Sequence, residues 1–115
     1  MGARTRFFED YQSSRESKDF VLNSDASITL SAFQQTCIAN TTGATHDTIT
    51  LPSMADAKGK IYSVYFKTQV STGDVIVVGA GDEATAYTKT ITVADGWVVC
   101  YCDGYNWYSL DEKLS

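Results

Sequence analysis

The chain is poor in the residues from which reaction centres are most often assembled. It has one histidine, His46, beside Asp47 in an expected turn, and no glycine-serine elbow or second base accompanies it. A catalytic triad is not expected, and His46 reads as a solvated loop residue. Three cysteines, Cys37, Cys100 and Cys102, are an odd number in a chain of 115 residues, which is long enough to bury about two-thirds of its unfolded surface without covalent staples. Reduced thiols follow. Cys100 and Cys102 share one strand face, whereas structural zinc sites take paired ligands from a knuckle that turns back on itself. The pair is expected to pack as small hydrophobes, with no metal.

Positive charge is also scarce. Nine Lys and Arg stand against fourteen Asp and Glu, giving a net charge of -5 and a pI near 4.6. Nucleic acid and anionic membrane surfaces both call for a basic footprint, so neither is expected as a partner. No apolar run approaches the ~18 residues of a membrane span, and no apolar segment follows a basic start, so a secretory signal is not expected either. Gly2 is not a myristoylation site, because Arg6 stands where Ser or Thr is needed. With no secretory signal expected, the Asn40-Thr-Thr42 sequon is expected to be idle.

The remaining motifs are equally spare. Gly79-Ala-Gly81 follows a strand, but no amphipathic helix comes after it to receive a pyrophosphate. Asp56, Asp74, Asp82, Glu83, Asp95 and Asp103 all fall in expected turns, where an aspartate bonds its own backbone, and they do not form a glycosidase pair. The Gly81-Asp-Glu83 loop has too few oxygen ligands at loop spacing for calcium. No catalytic residue and no cofactor is nominated, and the chain is not expected to be an enzyme.

What the sequence does have is alternation. From residue 20 onward, short runs of β-branched and aromatic residues recur about every ten residues, separated by turn residues. Ile61 to Thr68 places Tyr62, Val64 and Phe66 on one face and Ile61, Ser63, Tyr65 and Lys67 on the other, with the first face expected in the core. Pro52, the only proline, ends the run Asp47 to Leu51, and Met54 to Ala57 suits a single helical turn. The most strongly patterned stretch closes the chain. Asp95-Gly96 launches one aromatic run, Asp103-Gly104 turns it, and a second run follows, with both tryptophans inside. Its alternation sets Trp97, Val99 and Tyr101 against Val98, Cys100 and Cys102, and either set could be the core. Seven or eight short strands predict an all-β fold, a small antiparallel β-barrel or β-sandwich over residues 20–115.

Residues 1–19 differ in kind. Arg4, Arg6, Arg15 and Lys18 balance Glu9, Asp10, Glu16 and Asp19, and Phe7, Phe8 and Tyr11 are the only large apolar groups. An extended N-terminal arm is expected: composition alone suits a frayed terminus equally well, and the reading adopted is an arm that docks on a partner, with the three aromatics as anchors. Within the domain, tyrosine and tryptophan exceed what one small core needs. Tyr65, Trp97, Tyr101, Tyr105 and Trp107 are therefore expected at an oligomer interface. A sugar-stacking platform is the alternative use of such aromatics.

Asn40-Thr-Thr-Gly-Ala44, Thr48-Ile-Thr-Leu-Pro52, the loop ending at Gly59, the strand from Ile61, Asp95-Gly-Trp-Val-Val99 and Cys102-Asp-Gly-Tyr-Asn-Trp-Tyr108 together carry a resemblance. Over about residues 27–110 the chain resembles a small β domain of tailed-phage virion proteins, found in capsid decoration proteins, head fibres and tail-fibre segments. The resemblance implies a homotrimeric structural module without catalysis. The added arm, Arg4, Arg6, Phe7, Phe8, Tyr11 and Arg15 included, resembles that of decoration (cement) proteins, which implies a place on the capsid exterior of a virion and the major capsid protein as partner. A head-fibre or tail-fibre appendage that binds host-surface glycan is the alternative role.

Overall fold

The computed structural model describes residues 20–115. The expected arm, with Arg4, Arg6, Phe7, Phe8, Tyr11 and Arg15, lies outside the described residues. Nine strands follow from Phe20: β1 (Phe20–Ser24), β2 (Ile28–Thr29), β3 (Thr36–Thr41), β4 (Asp47–Thr50), β5 (Ile61–Gln69), β6 (Val75–Val78), β7 (Thr88–Ile91), β8 (Gly96–Cys102) and β9 (Trp107–Lys113). One helical turn, α1 (Met54–Ala57), sits between β4 and β5. Pro52 ends the preceding extended run, and the Ser53 hydroxyl caps α1 by accepting from the Asp56 amide at 3.4 Å.

The strands form two mixed sheets, ordered β1-β3-β5-β8-β9 and β2-β4-β6-β7. The fold is all-β as expected, but the antiparallel barrel is corrected. β1 pairs with β3, β3 with β5, β2 with β4 and β4 with β6 in parallel, and neither sheet closes on itself. From β1 to β6 the chain crosses to the opposite sheet after every strand, so strands two apart in sequence meet side by side and run the same way. A strand of the other sheet thus serves as the crossover that parallel pairing demands. Direction reverses only after β6. β7 lies antiparallel to β6, β8 to β5 and β9 to β8.

Period-2 alternation turns one face of each strand inward, and the two sheets bury a single core. Tyr62, Val64 and Phe66 of β5 are fully buried, as are Val98, Cys100 and Cys102 of β8. They meet Ile49, Val75, Val77 and Ile91 from the four-stranded sheet. Of the two sets on β8, the cysteine-bearing one is therefore the core.

The two Asp-Gly pairs act differently. At Asp103-Gly104 the glycine takes φ +95°, a left-handed position that suits the tight β8–β9 turn. At Asp95-Gly96 the aspartate takes the left-handed φ of +65°, while Gly96 is needed for space. A Cβ there would stand 2.4 Å from Ile91 Cγ2 and 2.7 Å from the Lys113 carbonyl oxygen.

Candidate interaction surface

The outward face of the five-stranded sheet gathers three of the residues expected at an interface. Register places Leu22 beside Ile38, Ile38 beside Tyr65, Tyr65 beside Trp97 and Trp97 beside Lys113, a row across all five strands. A second row runs Phe20, Thr36, Ser63, Val99 and Asp111, and a shorter third row runs Ile61, Tyr101 and Tyr108. Leu22 is 70% exposed, while Tyr65, Trp97 and Tyr101 are partly exposed. The aromatic edges are anchored by charge at one side. Tyr65 donates to Asp95 at 2.6 Å, Trp97 Nε1 donates to Asp111 at 3.0 Å, and Lys113 Nζ stands 5.8 Å from the Trp97 ring centroid. The bond to Asp95 raises the Tyr65 phenol above its ordinary pKa, so the hydroxyl remains a donor.

Phe20, Leu22, Ile38, Ile61 and Tyr108 belong to this surface although sequence reasoning nominated none of them for it. The signal was there in Phe20-Val-Leu22, whose alternation turns two large apolar groups the same way, but its significance depends on β1 lying beside β3. No local pattern carries that pairing.

The other two nominated aromatics go elsewhere. Tyr105 is 72% exposed on the β8–β9 turn, at one end of the domain. Trp107, expected at an interface, is corrected to the core: it is 6% exposed and packs edge-on against Tyr62, with ring centroids 5.6 Å apart. Cys102 and Trp107 are register partners, so the turn that exposes Tyr105 carries Trp107 back under the sheet. Its Nε1 finds no acceptor among the described residues.

Around Tyr105 the backbone is well held. Asp103 accepts from the amides of Tyr105 and Asn106, both at 2.8 Å, and from the Tyr108 hydroxyl at 2.9 Å. The Asn106 and Tyr105 amides hold the Asp103 carboxyl below its usual range. Across the turn, Asn106 Oδ1 accepts from the Thr85 amide, and the Tyr105 carbonyl accepts from the Ala84 amide. The loops 79–87 and 103–106 are thereby joined into one rigid end.

The titratable groups of the interior are packed rather than poised. Burial pushes the Cys37 thiol up to about 11 and the Cys100 thiol up to about 12, the opposite of what a nucleophilic or metal-binding thiolate requires. Cys100 Sγ donates to the Tyr62 carbonyl at 3.4 Å. Asp47 is 1% exposed and accepts from Asn23 Nδ2 at 3.2 Å. Its pKa is raised first by burial and then by the charge of Asp25, against the backbone donors of Ala26 and Asp25. His46 lies in a loop, where Nδ1 accepts from the Asp74 amide at 2.8 Å. Among the described residues, no three His, Cys, Asp or Glu side chains converge as a metal site would need. No helix among them is long and apolar enough to cross a membrane.

A small all-β domain with one aromatic sheet face is the class that this architecture defines. Comparison of the chain with family models, with curated proteins and with solved structures finds no match in any of the three.

Proposed function

We propose that the chain is a structural virion protein, a capsid decoration (cement) protein that binds the outer capsid surface through residues 1–19 and stabilises the shell as a trimer. The observation that carries the reading is the aromatic sheet face. Tyr65, Trp97 and Tyr101 spend large side chains on a surface that a solitary domain would furnish with small polar groups, and such patches are characteristic of protein contacts. The sequence resemblance over about residues 27–110 names the setting.

The charge distribution suits that role. Residues 1–19 carry four cations and four carboxylates, so the whole net charge of -5 falls on residues 20–115. An acidic domain would face solvent, and the neutral arm, with Arg4, Arg6 and Arg15 among its aromatics, would face the major capsid protein. Stabilisation then follows from mass action, since a ligand that binds only the assembled shell lowers its free energy, and three arms on one trimer bind with avidity. Deleting residues 1–19 is expected to leave a folded domain that no longer co-sediments with capsids. Wild-type binding by the truncated chain would sink the arm's role.

A second reading, a fibre appendage that binds glycan, is favoured by Tyr105, which stands 72% exposed on a rigid end loop. It predicts glycan-array binding that disappears in Tyr105→Ala while the fold persists. Buried Trp107 is the wrong residue for that test.

A further inference from the structure

We infer that the outward face of the five-stranded sheet is the surface through which copies of this chain meet, three faces turned toward a common axis. The inference rests on the proposed trimer and assigns it a surface. Each carboxylate of residues 20–115 lies off the strands that make up most of this face: β1, β3, β5 and β8 contain none, and Lys67 is their single ionised side chain. The acidic groups sit in the loops, in α1, at the start of β4 and on β9. Two copies that each carry -5 repel one another along most approaches. Contact through this face lets Leu22, Ile38, Tyr65 and Trp97 desolvate while the carboxylates stay at the periphery in water.

A cationic partner would find carboxylates only at the border of this face, where Asp95 accepts from Tyr65, Asp111 from Trp97 and Asp103 from Tyr108, and none on β1, β3, β5 or β8. The apolar surface that is always present at matching concentration, with matching chemistry, is another copy of the same face, and closed cyclic assemblies are the usual outcome. At the β9 border, Asp111 and Lys113 offset one another in charge and are both engaged with Trp97 of their own copy.

The dimensions fit three copies. Five strands at ~4.8 Å spacing span about 19 Å, and three such faces closed into a triangular prism would leave about 5–6 Å from each sheet to the axis, close to the ~5 Å that each sheet contributes when two pack at ~10 Å. Corners of that prism would bring β1 of one copy beside β9 of the next. There Phe20 and Leu22, 43% and 70% exposed, would lie level with Asp111 and Lys113 of the next copy, with Leu110 and Tyr108, 56% and 47% exposed, further along the same edge. A head-to-tail contact between unlike edges is what a closed three-fold ring requires.

Light scattering coupled to gel filtration, on the full chain without capsids, tests the inference. The wild-type chain is expected at three times its 12.6 kDa mass. Leu22→Lys and Ile61→Lys, both at exposed positions, are expected to elute as monomers with unchanged circular dichroism. Thr90→Lys, on the outward face of the four-stranded sheet, is expected to remain a trimer. A monomeric wild-type chain overturns the inference, as does a trimer that survives both face substitutions. Capsid co-sedimentation is read separately: a trimer built through this face that binds no capsid upholds the inference and sinks the virion reading, and a capsid-binding monomer does the reverse.

Discussion

Raising the pH should destabilise this domain through its thiols. Cys37 and Cys100 are fully buried, and in the folded chain their pKa values stand at about 11 and about 12 against an ordinary 9.0. Folded values above the unfolded one mean that this contribution to stability is whole below pH 9 and is lost as pH climbs toward 11 and 12. At pH 10 an unfolded cysteine is about nine-tenths thiolate, which favours unfolding by roughly 1.4 kcal/mol per thiol. The two together cost about 3 kcal/mol, a sizeable part of the ~5–15 kcal/mol that holds a domain folded. Urea denaturation of wild type and of the Cys37→Ala/Cys100→Ala double variant, each at pH 8 and pH 10, isolates the effect from lysine and tyrosine titration. The wild-type chain should lose about 3 kcal/mol more than the double variant over that interval. Equal losses in the two proteins would refute the reasoning.

Three further substitutions probe packing. Gly96→Ala should destabilise by at least 1–3 kcal/mol, because the new methyl meets Ile91 and the Lys113 carbonyl with no space to yield, and thermal melting will show it. Trp107→Ala should cost about 3–5 kcal/mol, whereas Tyr105→Ala, two residues earlier but 72% exposed, should change the melting midpoint little. A large effect at Tyr105 or none at Trp107 would reverse the assignment of the two faces of that hairpin.

Much of the strand content was legible in the sequence because alternation is a local property. The β5 face with Tyr62, Val64 and Phe66, the stop at Pro52 and the single turn at Met54–Ala57 all fall where the pattern puts them. Pairing was not legible. Nothing in Cys37-Ile-Ala39 states that its partners are Val21-Leu-Asn23 and Val64-Tyr-Phe66, both in parallel, since a strand looks the same whichever neighbour it meets. Trp107 shows the same limit at the scale of one residue. Aromatic surplus in the sequence suggests leftover surface, yet Tyr62, Tyr87 and Trp107 share the interior. A core bounded by two thin sheets takes more large rings than a count of residues suggests. The surface that remains, Tyr65 with Trp97 and Tyr101, became a contiguous patch only once β5 and β8 were known to be neighbours.

The winding of β1 through β6 between sheets also bears on how the chain reaches its native state. Neighbouring strands in that stretch are separated by a full excursion through the opposite sheet, so each of those pairings must close a long loop before any hydrogen bond repays the lost entropy. Hairpin closure is available only after β5, where β6 pairs with β7 across residues 79–87 and β8 turns directly into β9 through Asp103-Gly104. On a ribosome the parallel strands emerge first, and those that can pair locally emerge last. The β8–β9 hairpin has the shortest loop to close, and β5, its antiparallel neighbour, is the strand through which pairing passes from it to the rest of the five-stranded sheet.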